Sequence, residues 1–402
     1  MNRNVAFTIC AKNYLAQALS LRESYLKYNN TDFFIFLSDL ADVEDLPDVV
    51  ELDDSWIPDW RLMAFKYNVI EFSTSIKPFC IQKLFTEGYD RVMYLDPDIF
   101  VCNNLNLIFS YLDDKSIVMT PHRCKICQVD FFITSEQILS SVGVYNLGFF
   151  AVKNDEVGTK VIEWWENKLT HLCLADTSCG LFVDQKWMDF IPGYFPNETY
   201  ISSHLGMNVA IWNLHEREVF ERDASFYVKD KFGDSEYELL FFHFSGYNPN
   251  SPELLSKNIK KSAFVFTPAL QILACKYREC EFENEYERYS KMKYSFNFFS
   301  NGAEISDFVR RLYYSNIDQL VPKGNPFDSN GFFYALLSKR NLLEHKEKSI
   351  SSEWHIGSIK KKRLDYRFFN AILKTRGVKS YLKIISFMRY FSDRDYQKYL
   401  VE

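Results

Sequence analysis

Short, fully apolar runs alternate along this chain with longer stretches whose apolar residues recur at helical spacing. The run at 5–10 (VAFTIC) predicts a buried strand. Residues 13–28 predict a helix, carried by Leu15, Ala18, Leu19, Leu21, Tyr25 and Leu26. A second apolar run at 33–37 ends at Ser38 and Asp39, and 49–52 offers a third. Helical patterns near 60–72 and 78–87 lead into a fourth strand at 91–95. Strands without a polar face, alternating with helices, indicate a mainly parallel sheet covered on both sides. Ligands of such sheets sit beyond the carboxyl ends of the strands, and candidate chemistry is sought there.

The alternation continues less regularly. Strands are predicted at 117–120, 148–152 and 239–244, and a helix at 155–169 with Trp164 and Trp165 on its buried side. From about 259 the pattern turns helical, over 269–277, 305–314 and 331–337. Thr267 and Pro268 suit the cap and first position of the first of these. The expected organisation is a catalytic α/β domain over 1–258, a helical extension over 259–342 and a basic amphipathic tail over 343–402.

Composition narrows the classes. Of 402 residues, 47% are hydrophobic, and 14 Gly with 12 Pro exclude collagen-like and low-complexity chains. No apolar run approaches the ~18 residues of a membrane-spanning helix. No leader-like segment is recognised at the start, so a cytoplasmic protein is expected. Nine scattered Cys suit reduced thiols. The net charge of -6 hides a split: residues 339–402 carry 16 Lys/Arg against 7 Asp/Glu, while the rest carries 31 against 46. An acidic body with a basic, aromatic tail suggests peripheral contact with an anionic membrane surface, through 360–363 (KKKR) and the amphipathic 366–391. The alternative is a helix packed on the body with a solvated basic face. Nucleic acid is disfavoured, because the acidic body would repel it.

The run 94–101 (YLDPDIFV) is the most informative. Asp96 and Asp98 follow an apolar strand, and i, i+2 spacing in extended chain puts both carboxylates on one face. Pro97 stiffens the backbone between them. Two adjacent carboxylates repel unless a cation sits between them, and Mg²⁺ or Mn²⁺ suits such oxygen ligands. The plain alternative is a turn with capping aspartates.

With four further elements in order, this pair resembles GT-A nucleotide-sugar glycosyltransferases. Residues 145–148 (YNLG) resemble the Asn-x-Gly element of retaining glycosyltransferase family 8, the family of glycogenin and of bacterial lipooligosaccharide galactosyltransferases. Residues 182–185 (FVDQ) resemble its Asp-Gln element, and 243–246 (HFSG) its third metal ligand. Asn13 and Tyr14 resemble its uracil-stacking loop. The run 206–214 (GMNVAIWNL), with 241–246 (FFHFSG), also resembles uncharacterised bacterial polysaccharide glycosyltransferases. The resemblance covers about 1–258. It implies a GT-A fold, a Rossmann-like mixed, mainly parallel sheet, with the helical part as a C-terminal extension.

The resemblance also implies roles. Asp96, Asp98 and His243 would hold Mn²⁺ or Mg²⁺. Asn13, Tyr14 and Asp39 would meet the base of a UDP-sugar, Asn146 and Gly148 would shape the sugar pocket, and Lys77 would reach a phosphate or sugar hydroxyl. Gln185 would lie near the reacting carbon and Asp184 would bind sugar hydroxyls. Gly246, three residues after the His, would join the donor-binding set. Where that family carries a Lys six residues after the His, this chain has Pro249; Lys257, after 251–256 (SPELLS), is the candidate substitute. A retaining enzyme needs no dedicated base. An inverting one needs a carboxylate, for which Asp184 is the first candidate and Asp130 the second. The expected partners are a nucleotide-sugar donor and a glycan, lipid-linked or protein-linked acceptor.

Other signals are weaker. His122, Cys124 and Cys127 have zinc-like local spacing, but no second pair matches. No Gly-rich phosphate loop follows the first strand, which disfavours nucleotidyl transfer. A non-catalytic glycan-binding scaffold on a transferase fold remains the rival from another class.

Overall fold

The structure is a computed structural model, and it describes residues 3–40, 46, 48–126, 135–257, 267–340, 342–343 and 383–384. The chain divides into two compact units, Met1–Ser295 and Phe296–Glu402. The basic tail, apart from Leu343, Lys383 and Ile384, lies outside the described residues.

In chain order the first unit runs β1 (Asn4–Cys10), α1 (Leu15–Leu26), β2 (Asp32–Leu37), β3 (Val49–Val50), α2 (Trp60–Lys66), α3 (Val69–Ser75), α4 (Lys77–Thr86), β4 (Arg91–Leu95) and β5 (Ile99–Val101). It continues through α5 (Asn106–Tyr111), β6 (Ile117–Pro121), α6 (Glu136–Val142), β7 (Tyr145–Lys153) and α7 (Glu156–Leu172). A short ladder of β8 (Ala175–Asp176) and β9 (Leu181–Phe182) follows, then α8 (Ile191–Tyr194), β10 (Thr199–Ile201) and β11 (Val209–Ala210). The meander β12 (Arg217–Arg222), β13 (Ser225–Asp230) and β14 (Glu236–Glu238) precedes β15 (Phe241–His243) and α9 (Pro268–Glu283).

The expected α/β class is found. A seven-stranded sheet has the order β10-β6-β7-β4-β1-β2-β3. Strand β7 runs antiparallel to both neighbours, β4 and β6, and the other pairs are parallel. The fully apolar strands are buried as expected: all five residues of β4 are buried, as are six of the seven in β1. One core lies between the sheet and α1, and it includes Ala6, Leu21, Met93, Phe149 and Phe241.

Several boundaries differ from the pattern, each for a local reason. The helix expected over 60–72 breaks at Tyr67, because Asn68 caps a new helix: its Oδ1 accepts from Ile70 and Glu71, while Glu71 reaches back to the Asn68 N–H. Thr267 caps α9 as predicted, its Oγ1 accepting from Leu270 N at 3.3 Å. On α7, Trp165 is fully buried but Trp164 only half-buried. The antiparallel meander β12–β14 was not legible as a separate sheet, since its polar outer face gives no fully apolar run.

Two features bring the chemistry to one edge. β4 lies between β1 and β7, with Leu95 opposite Phe149. Because β7 runs the other way, its first residues emerge at the same edge as the last residues of β4. β5 then leaves the main sheet and pairs antiparallel with β15, Ile99 opposite His243. That register sets a residue from far along the chain beside Asp98.

The second unit is described by the helices Asp307–Ser315, Ile317–Leu320 and Phe332–Lys339. Its buried Arg310 donates to Phe296 O at 2.6 Å and to Asn297 Oδ1 at 3.0 Å.

Candidate functional site

The turn after β4 builds the centre of the site. Ile99 N donates to Asp96 O at 3.0 Å, so the two aspartates sit in a closed turn and not on extended chain, as the spacing alone had implied. Phe244 N donates to Asp98 O at 2.8 Å, locking this turn to the end of β15. His243 Nε2 consequently lies 3.0 Å from Asp98 Oδ1 and 3.7 Å from Asp96 Oδ2. One ligand atom from each of the three falls within 4.8 Å of the others. Two carboxylates and an imidazole converging in this way form a donor set for a divalent cation. Burial alone would lower the His243 pKa; Asp98 and Asp96 outweigh it and raise the pKa above the ordinary value.

The site is bordered by a buried lysine. Lys77, the first residue of α4, is buried, and its Nζ donates to Asp184 Oδ2 at 2.7 Å and to Leu147 O at 2.8 Å. It lies 3.7 Å from Asp96 Oδ1 and 4.0 Å from the centre of the Tyr94 ring. Tyr94 in turn donates its hydroxyl to Asp96 Oδ1 at 2.5 Å. Burial raises the Asp184 pKa, an effect that Lys77 partly offsets.

Close backbone approach explains Gly148. A Cβ there would meet Asp96 Oδ2 at 2.8 Å and His243 Nδ1 at 2.8 Å, and would collide with His243 Cε1. Gly148 O also accepts from Asp96 N at 2.8 Å. Asn146 is buried; its Oδ1 accepts from Gly148 N at 3.2 Å and from Asn208 Nδ2 at 2.9 Å. Gln185 opens a 3-10 helix and spends its amide on backbone. Its Oε1 accepts from Leu147 N at 3.3 Å, and its Nε2 donates to Val142 O at 3.0 Å.

The remaining predicted residues are more dispersed. Asn13 and Tyr14 lie in a 3-10 turn after β1; the Asn13 Oδ1 is buried without a partner, and the Tyr14 ring is 42% exposed. Asp39 is buried at the end of β2, accepting from Leu40 N and Ser295 N through Oδ1, with Oδ2 unpartnered. Its pKa is raised by burial, against the pull of Ser295 and Lys12. Gly246 turns with φ +71°, and its carbonyl accepts from Lys257 N at 2.9 Å; Lys257 is exposed. Asp130 and Cys127 lie outside the described residues.

Sequence reasoning missed several residues of the site. Asn208 accepts from the ring of His243 and donates to Thr120 and Asn146. His122 stands behind Asn146, its pKa pushed down to about 4 by burial. Glu281 of α9 is buried against Gln17 and Tyr277. Burial, then the charge of Asp98, push its pKa up to about 8. Asn208 lay in the singled-out run 206–214; an isolated Glu in a helix pattern carries no such signal.

No protein-family model matches the chain. Two curated relatives from Bacillus subtilis (strain 168) align with 44% of it. The uncharacterized protein YfnF is 29% identical over 180 residues, and the uncharacterized protein YfnD is 23% identical over 181. These alignments span 57% and 54% of the relatives, so the chain matches little more than half of their length. Among solved structures, the galactosyltransferase LgtC in complex with donor and acceptor sugar analogs aligns with 70% of this chain and 95% of its own. The TM-score is 0.43 and the identity 15%. Mouse xyloside xylosyltransferase 1 aligns with 60% of this chain and 97% of its own, at a TM-score of 0.36 and 13% identity.

Proposed function

We propose that the chain is a divalent-metal-dependent glycosyltransferase that moves a sugar from a nucleoside-diphosphate sugar to a glycan or glycoconjugate. The observation that carries this reading is the convergence of Asp96, Asp98 and His243 at the carboxyl edge of a mainly parallel sheet. The donor is a UDP-sugar and the ion Mn²⁺ or Mg²⁺. When bound, the ion supplies Lewis-acid stabilisation to a departing diphosphate.

The chain's own residues do the rest. Lys77 holds Asp184 through Oδ2, Asp184 is the candidate acceptor for a sugar hydroxyl, and the Lys77 charge adds electrostatic preorganisation near the leaving group. Gly148 and Asn146 shape the sugar pocket, and Gln185 fixes the backbone at Leu147 that borders it. Lys257, tied to Gly246 through its backbone, takes the diphosphate-gripping role. Asn13, Tyr14 and Asp39 receive the base. The reaction retains configuration, the leaving phosphate taking the acceptor proton. If it inverts instead, Asp184 and then Asp130 are the candidate bases.

The product is a bacterial surface polysaccharide or glycoconjugate, made at the cytoplasmic face of the membrane. Among the described residues no helix is long and apolar enough to cross a membrane. Attachment is assigned to the basic tail on its charge, at about 1 kcal/mol per cation near an anionic surface. Full-length protein should float with anionic liposomes and a truncation ending near residue 342 should not; equal recovery of both in the unbound fraction refutes the attachment.

Hydrolysis of a panel of nucleotide sugars with Mn²⁺, beside calorimetry of UDP with and without the ion, tests the activity. Slow, metal-dependent release of one sugar supports the proposal. UDP binding that is absent or indifferent to metal, with no hydrolysis, points to a non-catalytic glycan-binding protein.

A further inference from the structure

We propose that Glu281 of α9, with Gln17 and Tyr277, binds the pentose diol of the donor nucleotide and selects ribose over deoxyribose. The inference rests on the nucleotide-sugar reading above, and its central residue lies outside the 1–258 stretch that carries the family resemblance.

Helix α9 is fixed on α1 by polar contacts at its C-terminal end. Asn284 Nδ2 donates to Ser20 Oγ at 3.4 Å and to Glu23 Oε2 at 3.0 Å, and Cys280 Sγ donates to the same Glu23 oxygen at 3.3 Å. One face of α9 then meets the start of α1, where Glu281 lies against Gln17. The same face reaches the metal turn through aromatic rings. Tyr277 stacks on Phe244 with ring centres 4.3 Å apart and an interplanar angle of 11°, and its ring lies 5.6 Å from that of Phe100. Phe244 N donates to Asp98 O, and Phe100 follows Asp98 by two residues. Asp98 is therefore close enough for its charge to act on Tyr14, Tyr277 and Glu281.

The fold leaves polar atoms unsatisfied here. Glu281 and Tyr277 are 1% exposed and Gln17 8%. Glu281 Oε2, Gln17 Oε1 and Tyr277 Oη are buried without a hydrogen-bond partner, as is Asn13 Oδ1, four residues before Gln17. Buried oxygens are satisfied as a rule, so three open side chains in contact call for hydrogen-bond groups from outside the chain. The amide oxygen of Gln17 only accepts, Glu281 offers an accepting oxygen in either charge state, and the Tyr277 hydroxyl both donates and accepts. Neighbouring hydroxyls match this set: each donates to one oxygen, and one of them accepts from Tyr277. An anion does not match, because it brings acceptors to acceptors.

Position identifies the hydroxyls. Asn13, Tyr14 and Asp39 take the base, and the metal turn takes the diphosphate. Gln17 stands about one helical turn beyond Asn13 and Tyr14, and Tyr277 packs on Phe100 and Phe244 beside Asp98. The pentose joins base to diphosphate, and its 2′ and 3′ hydroxyls are the vicinal pair of that part of the molecule. Loss of a hydroxyl leaves protein oxygens buried and unpaired, so a site of this kind rejects the analogue that lacks it.

Calorimetric titration of the full chain with UDP and with 2′-deoxy-UDP, both with Mn²⁺, tests this. Wild type should prefer UDP by at least about tenfold. Glu281→Leu keeps a buried side chain and removes its oxygens. Its UDP affinity should fall to within about twofold of that for 2′-deoxy-UDP, while 2′-deoxy-UDP binds as it does to wild type. A merely structural role would weaken both nucleotides alike. Glu281→Gln is isosteric with one accepting oxygen and should narrow the preference; it decides the matter if the Leu variant does not fold. Equal binding of both nucleotides by wild type, or a preference unchanged in the variants, overturns the proposal and leaves the nucleotide-sugar reading standing. Absence of UDP binding removes that reading and this proposal with it.

Discussion

Two carboxylate groups lie side by side at the sheet edge and differ in how their charge is met. Asp184 is buried directly against a cation, Lys77 at 2.7 Å, in a pair whose side chains are 3% and 2% exposed. Asp96 and Asp98 are 29% and 20% exposed; both face His243, and Asp96 lies 3.7 Å from that same Lys77. The first is enclosed: the Lys77 charge meets Asp184 inside the fold. The second is open: it faces solvent with lone pairs converging and invites an external cation. The difference separates a buried ion pair that presets the sugar pocket from an open donor set that takes a cation, although both are Asp near a base.

Breaking the open pair should have the largest effect on turnover. Asp96→Asn or Asp98→Asn should lower turnover by at least about a thousandfold while the thermal midpoint stays close to wild type. Sugar-nucleotide hydrolysis and calorimetry measure the two. Undiminished activity in either variant would falsify the ligand assignment.

Breaking the closed pair should instead cost stability. Lys77→Met leaves Asp184 buried without its cation, and should lose about 3–5 kcal/mol by denaturant titration. Removing both charges, with Lys77→Met and Asp184→Leu together, should lose less than Lys77→Met alone. Equal losses would mean that the two side chains do not act as a pair.

Gly148→Ala sharpens the comparison from the backbone side. The added Cβ would displace Asp96 and His243. Mn²⁺ affinity should drop about tenfold, with a smaller change in stability than Lys77→Met produces.

The smallest effect concerns Glu281. Its folded pKa of about 8 lies above the ordinary 4.5, so the folded state holds a proton that the unfolded state releases. Its contribution is full below about pH 4.5 and is lost as pH rises through about 8. The metal-free protein should therefore lose stability between these values. Glu281→Gln should flatten that slope; an identical slope in the variant rules out Glu281 as its source.

Much of the fold could be read directly. Strands β1, β2 and β4 are continuous apolar runs, and such runs are buried on both faces wherever they pair. The Thr267 cap of α9 was equally legible, because capping is a local interaction. Asp96, Asp98 and His243 were found through short motifs, each following an apolar strand.

The sequence by itself determined the apolar strands, the acidic turn after β4, and the residue types available for a metal and a phosphate. Tertiary structure alone decided which of these meet. The Ile99–His243 register joins positions 144 residues apart in the chain, and the antiparallel course of β7 carries Gly148 to the same edge. The burial of Lys77 against Asp184, the donor direction of Asn208, and the approach of Glu281 to Asp98 depend on elements distant in the chain. The reason is physical: secondary structure follows local periodicity and capping, whereas charge pairing and hydrogen-bond direction follow distances that only packing sets.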